Sequence, residues 1–184
     1  SDIRGVAMEN NAGEAVNLTE DAVKALARAF AMWLKESKGE DVRIAIGRDS
    51  RLTGPQIVKW TIDGINMEGV SCTDFDMAST PAMFMSTVLT DKPFDGAIMI
   101  TASHLPQQRN GMKFFTGNGG LEKADIAKLV EIAETSLDKP AKPAPANDKA
   151  DFISIYADHL CDVIKKGVNA EDYEHPLKGF HIIV

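Results

Sequence analysis

Cysteine is scarce in this chain: Cys72 and Cys161 are the two among 184 residues. Their separation fits no metal-ligand spacing, and so sparse a count suits a reducing compartment. Both read as small core residues, Cys72 in a strand and Cys161 in a helix. Positive charge is also in short supply. Twenty Lys and Arg face 27 Asp and Glu, for a net charge of -7 and a pI near 5.1. A nucleic-acid surface needs a basic excess, so that class of partner is excluded; a locally basic pocket for a small anion is not. No apolar run approaches the ~20 residues that span a bilayer, so no membrane partner is expected, and no signal or transit peptide is visible. The first residues, Ser1-Asp2, lack a methionine, which leaves room for a removed targeting sequence. The expected location is soluble and intracellular, the cytoplasm first, with an organelle left open.

What is present is ordinary globular material, 44% hydrophobic and 26% charged, enough for one well-cored domain and an extension. Ser1 to Val6 is extended. Thr19 makes a helix N-cap, with Glu20 and Asp21 favourably placed at the positive end of the helix. Val23, Leu26, Ala27, Phe30 and Leu34 then repeat at helical spacing, and Gly39 marks the stop. Val42 to Ile46 alternates as a strand and leads into Gly47-Arg48-Asp49-Ser50-Arg51. Pro55 opens a second helix with Ile57, Val58, Thr61, Ile62 and Ile65 on its apolar face, ended by Gly69. Val70 to Phe75 is a strand, Thr80-Pro81 opens a helix that runs to about Thr90, and Gly96 to Thr101 is a strand apolar on both faces. Met112 to Phe115 is a short strand, Gly117 to Gly120 a turn, and a helix follows with Ile126, Leu129, Val130 and Ile132 as core candidates.

This alternation predicts an α/β fold: a layered domain with a mixed, largely parallel sheet flanked by helices. Asp138 to Asp148 is rich in Pro and Ala and reads as a linker. Beyond it Ile153, Tyr156, Ala157, Leu160, Val163 and Ile164 form one amphipathic helix, and Phe180 to Val184 reads as the start of a buried strand. The expected division is a domain over 1–137, a linker over 138–150, and over 151–184 a connecting helix with the first strand of a second, truncated domain.

The stretch with most chemistry runs from Thr101-Ala102-Ser103-His104-Leu105-Pro106 to Asn110-Gly111-Met112-Lys113. Ser103 sits where an apolar strand ends, exposed and fixed. Acyl transfer would need a base within reach of its hydroxyl. His104 is adjacent, and successive side chains on an extended backbone point to opposite faces; there is also no Gly-x-Ser-x-Gly elbow. A phosphorylated Ser103 fits its surroundings better, because a phosphoserine brings close to two negative charges. His104, Arg109 and Lys113 are cations or donors within ten residues. Pro106 stiffens the turn, and Asn110-Gly111 reads as a tight reversal that returns Lys113 toward Ser103. Composition alone leaves open a solvated turn with chance charges.

Three motifs in order carry a resemblance. Thr101-Ala-Ser103-His104-x-Pro106 followed by Asn110-Gly111-x-Lys113 resembles the phosphoserine loop of the α-D-phosphohexomutases, the superfamily of phosphoglucomutase, phosphomannomutase and the phosphohexosamine mutases. Asp2-Ile3-Arg4-Gly5 resembles its amino-terminal arginine motif, and Gly47 to Arg51 its first-domain strand-end motif. The resemblance implies the first of four domains plus the beginning of the second.

It implies phosphoryl transfer between the 1- and 6-positions of a hexose phosphate, through a phosphoserine and a bisphosphorylated sugar. Ser103 then carries the phosphoryl group and, through it, one position on Mg²⁺. Lys113 is implied in proton transfer with the sugar hydroxyl, His104 in substrate contact or proton handling, and Arg4 in approach to the active-site phosphate. Arg48 and Arg51 are implied as supports of domain structure. Hexose 1,6-bisphosphate is the implied activator, hexose phosphate the substrate, and the remaining domains of the same polypeptide the partners. The other metal ligands, the sugar-selecting loop and the distal phosphate clamp belong to those domains, so the chain alone is expected to be inactive. The Gly47 to Arg51 motif leans toward glucose and mannose rather than hexosamine. One departure stands out: Leu105 replaces the family's usual Asn. It keeps a second class open, a non-catalytic sugar-phosphate-binding or regulatory homologue.

Overall fold

A computed structural model describes residues 2–9 and 13–183; Ser1 and Val184 lie outside the described residues. In chain order the elements are β1 (Asp2–Val6), α1 (Glu20–Lys38), β2 (Ile44–Arg48), α2 (Gly54–Asn66), β3 (Cys72–Met77), α3 (Thr80–Met85), β4 (Gly96–Ile100), β5 (Arg109–Thr116), β6 (Gly119–Gly120), α4 (Lys123–Ser136), β7 (Asp148–Lys149) and α5 (Phe152–Val168).

The strands form one mixed sheet in the order β1-β5-β4-β2-β3-β7, with β6 on β5. β4, β2, β3 and β7 run parallel, as βαβ crossovers require. β5 turns back antiparallel to β4 and pairs antiparallel with β1. Helices cover both faces. On one, Val23, Phe30 and Leu34 of α1, Ile57 and Ile65 of α2 and Leu129 of α4 pack on Ile44, Ile46, Ile98, Ile100, Met112 and Phe114. On the other, Ala82 and Met83 of α3 and Phe152 of α5 pack on Ala45, Phe75, Ala97 and Met99. β4 is buried along its whole length, as a central strand with helices on both sides must be.

Local signals place the first half well. Thr19 caps α1, its hydroxyl accepting from the Ala22 N–H at 3.3 Å, and Gly39 follows α1 at φ 93°. Other expectations are corrected. α3 ends at Met85, and the residues to Leu89 continue as turns closed by bonds such as Leu89 N–H to Met85 O at 2.8 Å. β5 spans eight residues and includes Asn110 and Gly111, so that pair is strand and not reversal. Gly111 is needed there because a Cβ would lie 2.5 Å from the Ile3 carbonyl oxygen and 3.1 Å from that of Thr101. Val130 is exposed while Leu129 is buried. Phe180 to Ile183 forms no strand and is exposed. Cys161 is exposed on α5, so only Cys72 is a core cysteine.

The Pro/Ala-rich segment is tied to the domain. Buried Arg28 pairs with Glu68 at 2.7 Å and donates to the carbonyls of Lys139 and Pro140, both at 2.8 Å. Asn147 accepts from the Cys72 N–H at 2.9 Å, and Asp148–Lys149 then adds a short edge strand to β3.

Candidate functional site

The loop after β4 is built from two strand ends that face each other. β2 and β4 lie side by side in parallel, Arg48 opposite Ile100, so the segments that leave them emerge together. Asp49 opens the first; its N–H donates to the Ile100 carbonyl at 3.0 Å. Its carboxylate then organises both segments. One oxygen accepts from the Arg51 N–H at 3.1 Å. The other accepts from Arg51 Nε at 3.3 Å and from the Thr101 hydroxyl at 2.6 Å. Thr101 Oγ1 in turn accepts from the Ser103 N–H at 2.9 Å.

Ser103 is exposed and has φ 56°. That left-handed conformation is uncommon outside glycine and persists where the surroundings impose it. The bond to Thr101 fixes one side of the Ser103 peptide. Arg51 fixes the other: Nη2 donates to the carbonyls of Ser103 at 2.9 Å and Leu105 at 2.7 Å, and Nη1 to those of Pro106 at 2.9 Å and Arg109 at 3.0 Å. The reversal itself lies between Ala102 and Arg109, closed by Leu105 N–H to Ala102 O at 3.1 Å and Arg109 N–H to Pro106 O at 3.0 Å. Leu105 thus takes part through its backbone, which any residue would supply.

His104 is exposed beside Ser103. Arg109, expected near Ser103, has its guanidinium committed to Glu14. Arg4 and Lys113 are set by register. Arg4 lies opposite Gly111, whose carbonyl accepts from the Thr101 N–H at 3.0 Å, so Arg4, Gly111 and Thr101 form one row across β1, β5 and the end of β4. Asp2, Lys113 and Met99 form the next row on the same face, two residues on and one side-chain repeat of roughly 7 Å further from Ser103. Asp2 holds both cations, bonding Arg4 Nε and lying 3.9 Å from Lys113 Nζ. The structure therefore brings together Arg4 on the edge strand β1 and Lys113 on the adjoining strand β5, and leaves their head groups partly exposed.

Arg48 does not join the site. It pairs with Asp76 and donates to the Asp49 carbonyl at 3.2 Å, which ties the end of β2 to the end of β3. Sequence reasoning missed Asp49 and Thr101 as loop-holding residues and treated Arg51 as general support. The available signal was the acidic side chain placed two residues before an arginine at a strand end. No group of three or more His, Cys, Asp or Glu among the described residues could hold a metal ion. A groove lined by Cys161, Ile164, Lys165, His175 and Leu177 lies between α5 and the segment after it, and shares no residue with the loop. No helix among the described residues is long and apolar enough to cross a membrane.

Comparison with known proteins bears on the family and the fold. Residues 1–139 match the family described as phosphoglucomutase/phosphomannomutase, alpha/beta/alpha domain I. A phosphoglucomutase of Neisseria gonorrhoeae is 30% identical over 89% of this chain and 33% of its own length. A phosphoglucosamine mutase of Symbiobacterium thermophilum is 29% identical over 99% of this chain and 38% of its own. A crystal structure of a phosphoglucomutase/phosphomannomutase family protein from Burkholderia thailandensis superposes with a TM-score of 0.71 at 25% identity, covering 89% of this chain and 34% of that one. The chain spans about a third of the length of these relatives. With a family model matching residues 1–139 and mutase relatives aligned over most of its length, the chain belongs to the phosphohexomutase superfamily, as its domain I.

Proposed function

We propose that this chain is the phosphoserine-bearing, amino-terminal part of a phosphohexomutase. Such an enzyme moves a phosphoryl group between the 1- and 6-hydroxyls of a hexose phosphate. The observation that carries the reading is Ser103, exposed at the end of a fully buried strand and locked at φ 56° by Thr101 and Arg51. A covalent carrier needs that combination of access and fixed direction.

In the first half-reaction the hexose phosphate's free hydroxyl oxygen attacks the phosphorus on Ser103. The new O–P bond forms as the P–Oγ bond breaks, and the Oγ electron pair leaves with the serine. The hydroxyl proton passes by way of Lys113 and ends on Ser103 Oγ, giving a free serine and a hexose 1,6-bisphosphate. After the sugar turns over, Ser103 attacks the other phosphorus and the same exchange runs in reverse. Arg4 and Lys113 supply positive charge beside the loop while negative charge spreads over the phosphoryl oxygens. His104 contacts the sugar or carries a proton at the mouth of the loop. Mg²⁺, when bound, would neutralise phosphoryl charge through the oxygens on Ser103. Its other ligands, as the resemblance implies, belong to the rest of the polypeptide. The chain alone is expected to show no turnover. The location read from the sequence, soluble and intracellular with the cytoplasm first, is proposed on the same footing.

The alternative, a non-catalytic homologue, rested on Leu105. The loop bonds at Leu105 run through its backbone N–H and carbonyl, which supports the mutase reading. Ser103→Ala in the complete polypeptide separates the readings. Abolished conversion of glucose 1-phosphate or mannose 1-phosphate supports the mutase; conversion at the unsubstituted rate refutes it.

A further inference from the structure

We propose that Arg51 is a positioning residue for phosphoryl transfer, acting on the Ser103 backbone and never on the phosphate. The proposal rests on the reading of Ser103 as the carrier. A guanidinium has five N–H donors, one on Nε and two on each Nη. In Arg51 all five are occupied: Nε by Asp49, Nη1 by the carbonyls of Pro106 and Arg109, and Nη2 by those of Ser103 and Leu105. None is left for a phosphoryl oxygen, unlike the partly exposed head groups of Arg4 and Lys113.

The four carbonyls belong to the segment from Ser103 to Arg109, so one planar cation sets the direction of the peptides that follow the carrier. Asp49 fixes the cation and, through Thr101, the Ser103 N–H as well. The peptide groups on both sides of Ser103 are therefore held by one ion pair, and its left-handed φ follows from that hold. A lysine keeps the charge but carries its three donors on a single nitrogen, which cannot bridge carbonyls spread along this segment. The expected defect of Arg51→Lys is misdirection of Oγ, which slows the chemical step and leaves substrate affinity alone.

Two measurements test this. In the complete polypeptide, Arg51→Lys is expected to lower kcat by about 100-fold with KM within about 3-fold. Added guanidinium is expected to restore at least about 10-fold of the rate of Arg51→Gly, and methylammonium to restore none. In the 184-residue chain, Arg51→Lys is expected to speed amide hydrogen exchange over residues 102–109 by at least about 10-fold, with β2 and β4 unchanged. A raised KM at unchanged kcat would make Arg51 a substrate ligand and overturn the proposal, as would unchanged exchange in the loop. Failure of the unsubstituted complete polypeptide to take up a phosphoryl group would sink the carrier reading instead; the exchange result would then still decide whether Arg51 holds the turn.

Discussion

The Ser103 loop and helix α5 both reach solvent, and they are held in opposite ways. Every turn of the loop from Ala102 to Arg109 is tied by hydrogen bonds to the Asp49–Arg51 segment or closed on itself. α5 is anchored at its first turn, where Phe152 stacks on Phe75 with ring centroids 5.0 Å apart and Tyr156 packs on the same cluster. Beyond that its apolar residues Leu160, Val163, Ile164 and Val168 are exposed. Exposure alone therefore distinguishes nothing. Polar exposure with fixed geometry marks a place where chemistry can be directed. Apolar exposure on a helix anchored at one end marks surface whose burial is not completed among the described residues.

The two cysteines give the sharpest contrast. Burial, with Asp74 nearby, pushes the Cys72 thiol up to about 12, so roughly one molecule in 10⁴ carries the thiolate at pH 8. Cys161 on α5 is exposed. Iodoacetamide at pH 8 is expected to label Cys161 rapidly and Cys72 only after unfolding; equal labelling of both in the native protein would break the comparison. The same shift sets a pH dependence. The folded state holds the Cys72 proton more tightly than the unfolded state, so this contribution to stability is complete below about pH 9 and lost between about 9 and 12. Cys72→Val is expected to flatten that decline in urea titrations.

Packing gives the next contrast. Phe30 of α1 is fully buried against Phe114, with ring centroids 5.0 Å apart. Phe30→Ala is expected to destabilise by about 3–5 kcal/mol. Gly111→Ala places a methyl against the Ile3 and Thr101 carbonyls and is expected to cost about 1–3 kcal/mol. Leu160→Ser on the exposed face of α5 is expected to stay within about 0.5 kcal/mol in the 184-residue chain. A loss at Leu160 comparable to that at Phe30 would show that α5 is packed in solution.

Legibility in the sequence followed the range of the forces involved. Thr19 and Gly39 act within a turn or two and each marked a boundary of α1 correctly, whereas α2 ends at Asn66, three residues before Gly69. The amphipathic period of α1 and α5 gave both helices, but periodicity names a face and not the element that covers it. Asn110-Gly111 misled because the pair favours tight reversals, whereas here glycine answers the close carbonyl of Ile3 on a neighbouring strand. The family motifs brought Ser103, His104, Arg4 and Lys113 into view. The holding network did not appear, because the Asp49 to Thr101 and Arg51 to Ser103 contacts join residues 52 apart in the chain, and only the pairing of β2 with β4 makes them neighbours.

The central claim concerns one side chain. The complete polypeptide, incubated with hexose 1,6-bisphosphate and Mg²⁺ and analysed by intact mass and peptide mapping, is expected to gain ~80 daltons on Ser103 and to lose them to hexose monophosphate. No added mass at Ser103, or a phosphoryl group found there that hexose phosphate cannot remove, would contradict the account.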